Sequence, residues 1–178
     1  VRETELVPPV RAYLDGLGYR VYVNPDGADF FDIVVRRGTE VGLVELKVAD
    51  WRKVIHQALR RRGWGDWVAV VVPRSSLAAK ILDRPEAPRA TRVGVWCLVD
   101  GAVRVVRPAR PLVESGEVDP FPEPKAWLVE RLDLTDAAGG PGSLSWSVPD
   151  AGRVAGRRRS SRDWRLEEFP EDPPSGPP

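Results

Sequence analysis

Apolar residues at positions 6, 10, 13, 14 and 17 recur at the spacing of one helix face, so residues 6–17 are expected to form an amphipathic helix. Pro8 and Pro9 suit its first turn, where a missing N–H costs nothing, and Gly18 is a stop signal. Residues 19–23 alternate as a strand does and run into the turn signal Asn24-Pro25-Asp26-Gly27. A second strand is expected over 31–37 and a third over 41–48, joined as a hairpin through Gly38-Thr39. Helical spacing returns over 51–62, with Trp51, Val54, Ile55, Ala58 and Leu59 on one face and Gly63 as the stop. The continuous apolar run 67–73 reads as a strand covered on both faces. Residues 75–83 read as a short serine-capped helix, and 93–99 with 102–106 as a hairpin across Asp100-Gly101.

The order α-β-β-β-α-β-α-β-β is that of an α/β protein with a mixed central sheet flanked by helices. One domain is expected over residues 1–108. Beyond it, proline and glycine supply over a quarter of the positions. An extension over 109–136 has one short helical stretch, 124–133, with Trp127, Leu128, Arg131 and Leu132. Residues 137–178 are rich in Pro, Gly and Arg and read as a disordered tail. Its segment 153–165 holds six arginines and Trp164, which suits a flexible nucleic-acid arm as well as a non-interacting tail.

Composition narrows the chemistry. The 178 residues are 42% hydrophobic and 30% charged, with a formal net charge of +1. That balance excludes a polybasic binder but leaves room for a local basic patch. No apolar run approaches the roughly 20 residues of a membrane helix, and no signal-type segment opens the chain, so a cytoplasmic protein without membrane contact is expected. One cysteine, Cys97, excludes a disulfide framework within the chain, and one histidine, His56, makes a Ser-His-Asp triad improbable. Carboxylates, Lys and Arg are left to carry any chemistry.

The third strand supplies them. Val41-Gly42-Leu43-Val44-Glu45-Leu46-Lys47-Val48 is apolar except for Glu45 and Lys47, which stand two apart and so project from one face. Charges in an otherwise buried strand cost several kcal/mol or so each before pairing. Asp32, at the start of the neighbouring strand, falls near Glu45 if the two strands form a hairpin. Two carboxylates beside an amine suit Mg²⁺, which is held by one or two carboxylates plus waters and a substrate phosphate. Asp26 is better read as a turn residue and Asp29 as a loop acid. Taken alone, Glu-x-Lys is more often a structural ion pair. His56 reads as a helix-surface residue, and Trp64, Trp67 and Trp96 read as packing.

Asp32, then Glu45-Leu46-Lys47, then Gln57 on the following helix resemble the PD-(D/E)xK nuclease superfamily, whose core has the same α-β-β-β-α-β order. The likeness spans about residues 1–107. With Glu3-Thr4-Glu5-Leu6-Val7-Pro8-Pro9-Val10 and Gln57-Ala58, the chain looks like a bacterial family of uncharacterised phosphodiesterases of this type. The resemblance implies a restriction-endonuclease-like fold and Mg²⁺ or Mn²⁺ dependence. It further implies Asp32 and Glu45 as metal ligands, Lys47 as the catalytic amine and Gln57 as a supporting residue. A first-helix glutamate often joins such sites, which implies Glu3 as a third metal ligand. The helical stripe continued backwards lands on Glu3 and puts Glu5 on the polar face, provided that the helix extends upstream of the prolines, so both stay open. Arg52, Lys53, Arg60 and Arg61 are candidate phosphate contacts, with a solvated basic face as the alternative. The expected activity is hydrolysis of nucleic-acid phosphodiester bonds, DNA foremost, and a homodimer would supply the two sites that cutting both strands needs. The alternative is an inactive nuclease-fold module that binds nucleic acid or protein.

Overall fold

In the computed structural model, residues 2–24, 31–49, 54–60, 62–83, 91–111 and 122–139 are described. The chain divides into two units, 1–148 and 149–178, and every described residue belongs to the first. Its elements are α1 (Glu3–Gly16), β1 (Arg20–Val23), β2 (Ile33–Arg37), β3 (Glu40–Leu46), α2 (Val54–Arg60), β4 (Trp67–Val72), α3 (Ser75–Leu82), β5 (Gly94–Val99), β6 (Ala102–Arg107) and α4 (Pro122–Ala137). A 3-10 turn, Arg62–Trp64, separates α2 from β4.

The six strands form one mixed sheet in sequential order. β1, β2 and β3 are an antiparallel meander, β3-β4 and β4-β5 are parallel, and β5-β6 closes as an antiparallel hairpin. The parallel pairs follow from the helices between them, since a parallel return needs a crossover. β4 is buried along its whole length, as its unbroken apolar run predicts. Asp100 and Gly101 have φ of 51° and 78°, the left-handed pair that a two-residue hairpin requires.

Side-chain alternation divides the core in two. One face of the sheet packs Leu6, Val10 and Leu14 of α1 on Ile33, Val44, Ala69 and Val71. The other packs Val54 and Ala58 of α2, Leu77 and Ile81 of α3, and Leu128 and Leu132 of α4 on Val34, Leu43, Val70 and Val95.

Three expectations are corrected. α1 begins at Glu3 rather than Leu6, so Pro8 and Pro9 sit in its interior and not its first turn. Each proline removes one helical hydrogen bond, yet full burial of Leu6, Val10 and Leu14 holds the helix across them. α3 is preceded by Arg74 at its N-cap, with no side-chain cap, and Ser75 is already inside the helix. α4 is no appendage to a domain ending at 108, because Leu128 and Leu132 are completely buried in the same cluster as the central strands. Pro25, Asp26 and Gly27 of the expected turn, the loop acid Asp29 and nearly all of the 137–178 tail lie outside the described residues.

Polar contacts fix where α4 lies. Asp136 accepts a 2.7 Å hydrogen bond from the buried Tyr22 hydroxyl and pairs with Arg20 at 2.6 Å. Arg36 pairs with Asp133, and Lys125 pairs with Asp66. Asp136→Ala strips the Tyr22 hydroxyl of this acceptor and is expected to cost about 1–2 kcal/mol, read as a lower urea midpoint with an unchanged slope.

Candidate active site

β3 ends at Leu46, and the next residue, Lys47, donates its backbone N–H to Val71 O of β4 at 2.9 Å. The Lys47 amine therefore emerges at the end of the sheet. It lies 3.3 Å from Glu45 Oε1 and 3.5 Å from Glu3 Oε1. Glu45 is 7% exposed and is the single charged residue in the buried set among the described residues.

Asp32 reaches the same place from β2. The β2-β3 ladder pairs Ile33 with Val44, so the next row sets Asp32 against Glu45. Here the strand pairing gives way to a side chain: Leu46 N–H donates to Asp32 Oδ2 at 2.7 Å. Asp32 O accepts from Asn24 N at 2.8 Å, so the residue is held on both sides.

Glu3 arrives by a length match. Fourteen helical residues span about 21 Å, and seven strand residues about 23 Å. α1 runs back along β3, with Leu17 O beside Arg37 at one end and Glu3 beside Lys47 at the other. Helix start and strand end thus coincide. Glu3 is the first-turn acid that meets Lys47, whereas Glu5 is exposed.

Gln57 is not brought in. It is exposed on α2, while Val54, Ala58 and Leu59 take the buried face, and no hydrogen bond links it to Asp32, Glu45 or Lys47 among the described residues. Arg52, Lys53 and Arg61 lie outside the described residues, as does the Arg60 side chain.

The electrostatics are those of crowded acid. Burial, aided by the charge of Glu45, pushes the Asp32 carboxyl up to about 7, against the lowering effect of the Leu46 N–H and Lys47. Burial works to lower the Lys47 amine, but Glu45 and Glu3 outweigh it and hold Lys47 above the ordinary lysine value. The ammonium is thereby locked on, and Asp32 is left half-ionised near neutrality.

A cation entering beside Asp32 and Glu45 would relieve that crowding, and two carboxylates match the way Mg²⁺ is held. Among the described residues no group of three or more His, Cys, Asp or Glu side chains forms a metal cage. Glu3 pairs with Lys47 instead. The donor set fits a cation that completes its shell with water and substrate oxygens.

Asp32 also makes a stability prediction. Its folded value lies above the unfolded 3.8, so the folded state holds the proton more tightly. The resulting stabilisation is full below pH 4 and is lost as pH rises toward 7. Asp32→Asn is expected to match the parent below pH 4. Without divalent cations it should exceed it above pH 7 by about 1–2 kcal/mol, allowing for partial exposure. Thermal unfolding from pH 4 to 8 measures the difference, and a flat difference contradicts the geometry.

No family model and no curated protein matches the chain. Among the described residues no helix is long and apolar enough to cross a membrane. Among solved structures, the chain is similar to SPO1766, a protein of unknown function from Silicibacter pomeroyi, at 16% identity and a TM-score of 0.46, over 79% of this chain and 94% of that one.

Proposed function

We propose that this chain is a metal-dependent phosphodiesterase of the PD-(D/E)xK type that hydrolyses nucleic acid, with DNA as the first substrate to test. One observation carries the reading: the Lys47 amine lies 3.3 Å from Glu45, in the sheet row that brings Asp32 alongside. An isolated structural ion pair needs no second carboxylate pushed up by burial next to it.

In this reading Asp32 and Glu45 hold Mg²⁺ or Mn²⁺. The ion would acidify the attacking water and neutralise charge on a phosphate oxygen. Lys47, kept protonated by Glu45 and Glu3, stabilises the negative charge that develops on the phosphoryl oxygens. Glu3 acts through Lys47 and is a positioning residue. Glu3→Gln is expected to lower kcat about threefold to tenfold with little change in KM, and Glu5→Gln to do neither; steady-state cleavage rates measure both.

The test is incubation with supercoiled plasmid and linear DNA, with Mg²⁺, Mn²⁺ or EDTA. Metal-dependent cleavage that is lost in Lys47→Ala supports the proposal; its absence, or equal cleavage by the variant, overturns it. The exposed position of Gln57 favours a second reading, a binding module without turnover. That reading expects DNA binding with no cleavage under any metal.

A further inference from the structure

The end of the sheet that carries Lys47 also carries Arg74. β4 runs parallel to β3, and the Lys47 N–H bonds Val71 O, so the residues after Val72 leave the sheet beside Lys47. Neighbouring strands lie about 4.8 Å apart. Pro73 and Arg74 follow, and α3 turns back over the face that bears Glu45, with Leu77, Ala78 and Ile81 in the core beneath it.

Arg74 is an odd residue for this position. It occupies the N-cap of α3 with extended backbone (φ −157°, ψ 153°) and makes no capping hydrogen bond. Arginine is not among the good caps, and a cation at a helix N-terminus opposes the helix dipole. Ser75, a good cap by type, comes one residue too late. The Arg74 side chain is exposed, with no hydrogen bond or ion pair to another described residue. Local rules broken at the mouth of a site point to a use outside the fold.

We propose that Arg74 binds the substrate phosphate next to the one being cleaved. The substrate is then a polynucleotide that presents several phosphates in a row, rather than a small isolated phosphodiester. The inference rests on the phosphodiesterase reading above. An anion seated at Arg74 would offset the clash between guanidinium and helix dipole. The planar, bidentate guanidinium suits a phosphate better than an ammonium does.

The experiment uses the full chain and a fluorescein-labelled 20-mer duplex. Binding is followed from 50 to 200 mM salt in Ca²⁺, and cleavage in Mg²⁺. Arg74→Ala is expected to weaken binding about fivefold to tenfold at 50 mM salt. It should also reduce the slope of log affinity against log salt by about 0.9, the signature of one lost phosphate contact. KM should rise by a similar factor and kcat change less than about twofold. Arg74→Lys should restore the slope and part of the affinity. Arg74→Ser, a better cap, should match the alanine variant in binding while unfolding at an equal or higher temperature. Equal binding and an equal salt slope for parent and Arg74→Ala overturn the inference, and parent cleavage lost in Lys47→Ala would leave the phosphodiesterase reading standing. Binding that depends on Arg74 in a parent that never cleaves upholds the phosphate contact and overturns the phosphodiesterase reading. A parent that neither binds nor cleaves overturns both.

Discussion

Lys47→Ala is expected to lower metal-dependent DNA cleavage by at least about a hundredfold, within the range seen when a preorganised charge stabiliser is removed. The amine stands among three carboxylates, of which Glu45 and Glu3 lie within 3.5 Å. Its removal takes away the cation that pairs with both. Those carboxylates would then face the substrate's phosphate with like charge, so the loss should fall on kcat and KM together. Arginine at 47 keeps the charge but not the compact shape, and should recover only part of the rate. Glu45→Gln should lose as much activity, through metal affinity. Cleavage assays across a Mg²⁺ series separate the two. The glutamine variant should shift the metal midpoint, while Lys47→Ala should depress the plateau. Near-equal plateaus for parent and Lys47→Ala would reduce Glu45 and Lys47 to a structural pair.

Gly42→Ala is expected to destabilise the fold by about 3 kcal/mol or more, beyond the usual effect of an added methyl in a packed core. In an ordinary strand this substitution helps, because glycine carries an entropic cost of about 0.5–1 kcal/mol. Gly42 is paired across the ladder with Trp67, and a β-carbon there would lie inside the ring, against Cζ2, Cε2 and Cη2. The ring is not free to move aside. Trp67 Nε1 donates to Glu40 Oε1 at 2.9 Å, and Tyr19 and Trp96 pack against it at centroid distances of 5.7 and 6.0 Å. Tyr19 in turn donates to the same Glu40 oxygen and lies under Arg37. The urea midpoint of Gly42→Ala should therefore fall sharply. Combining it with Trp67→Leu should cost less than the sum of the two, because the smaller side chain vacates the contested volume. Strict additivity would contradict the packing described. This cluster lies at the end of β3 opposite Lys47, so the double variant, if folded, should keep the salt dependence of DNA binding.

Much of the site was legible because the signals are local. A strand has a period of two, so Glu45 and Lys47 had to share a face whatever surrounded them. The short link through Gly38-Thr39 makes β2 and β3 neighbours, and Gly38 adopts the positive φ of 61° that such a link needs. Once those strands pair, Asp32 falls one row past the last rung. Gln57 was singled out only by its spacing from Lys47, on which the family likeness rests; the burial of Val54, Ala58 and Leu59 turns its side chain outward. Helical periodicity favoured Glu3, but the prolines argued against any helix that would reach it. Propensity lost there to burial of a whole apolar stripe.

The sequence alone determined the kinds of elements, their order, the mixed sheet they imply and the shared face of Glu45 and Lys47, because each rests on a short repeat along the chain. Only the tertiary structure decided that Asp32 takes the N–H of Leu46, that α1 is long enough to deliver Glu3, and that α4 completes the core. It alone set Arg74 at the same end of the sheet as Lys47. Those outcomes depend on register, matched element lengths and buried contacts between residues far apart in the chain, and no local pattern encodes them.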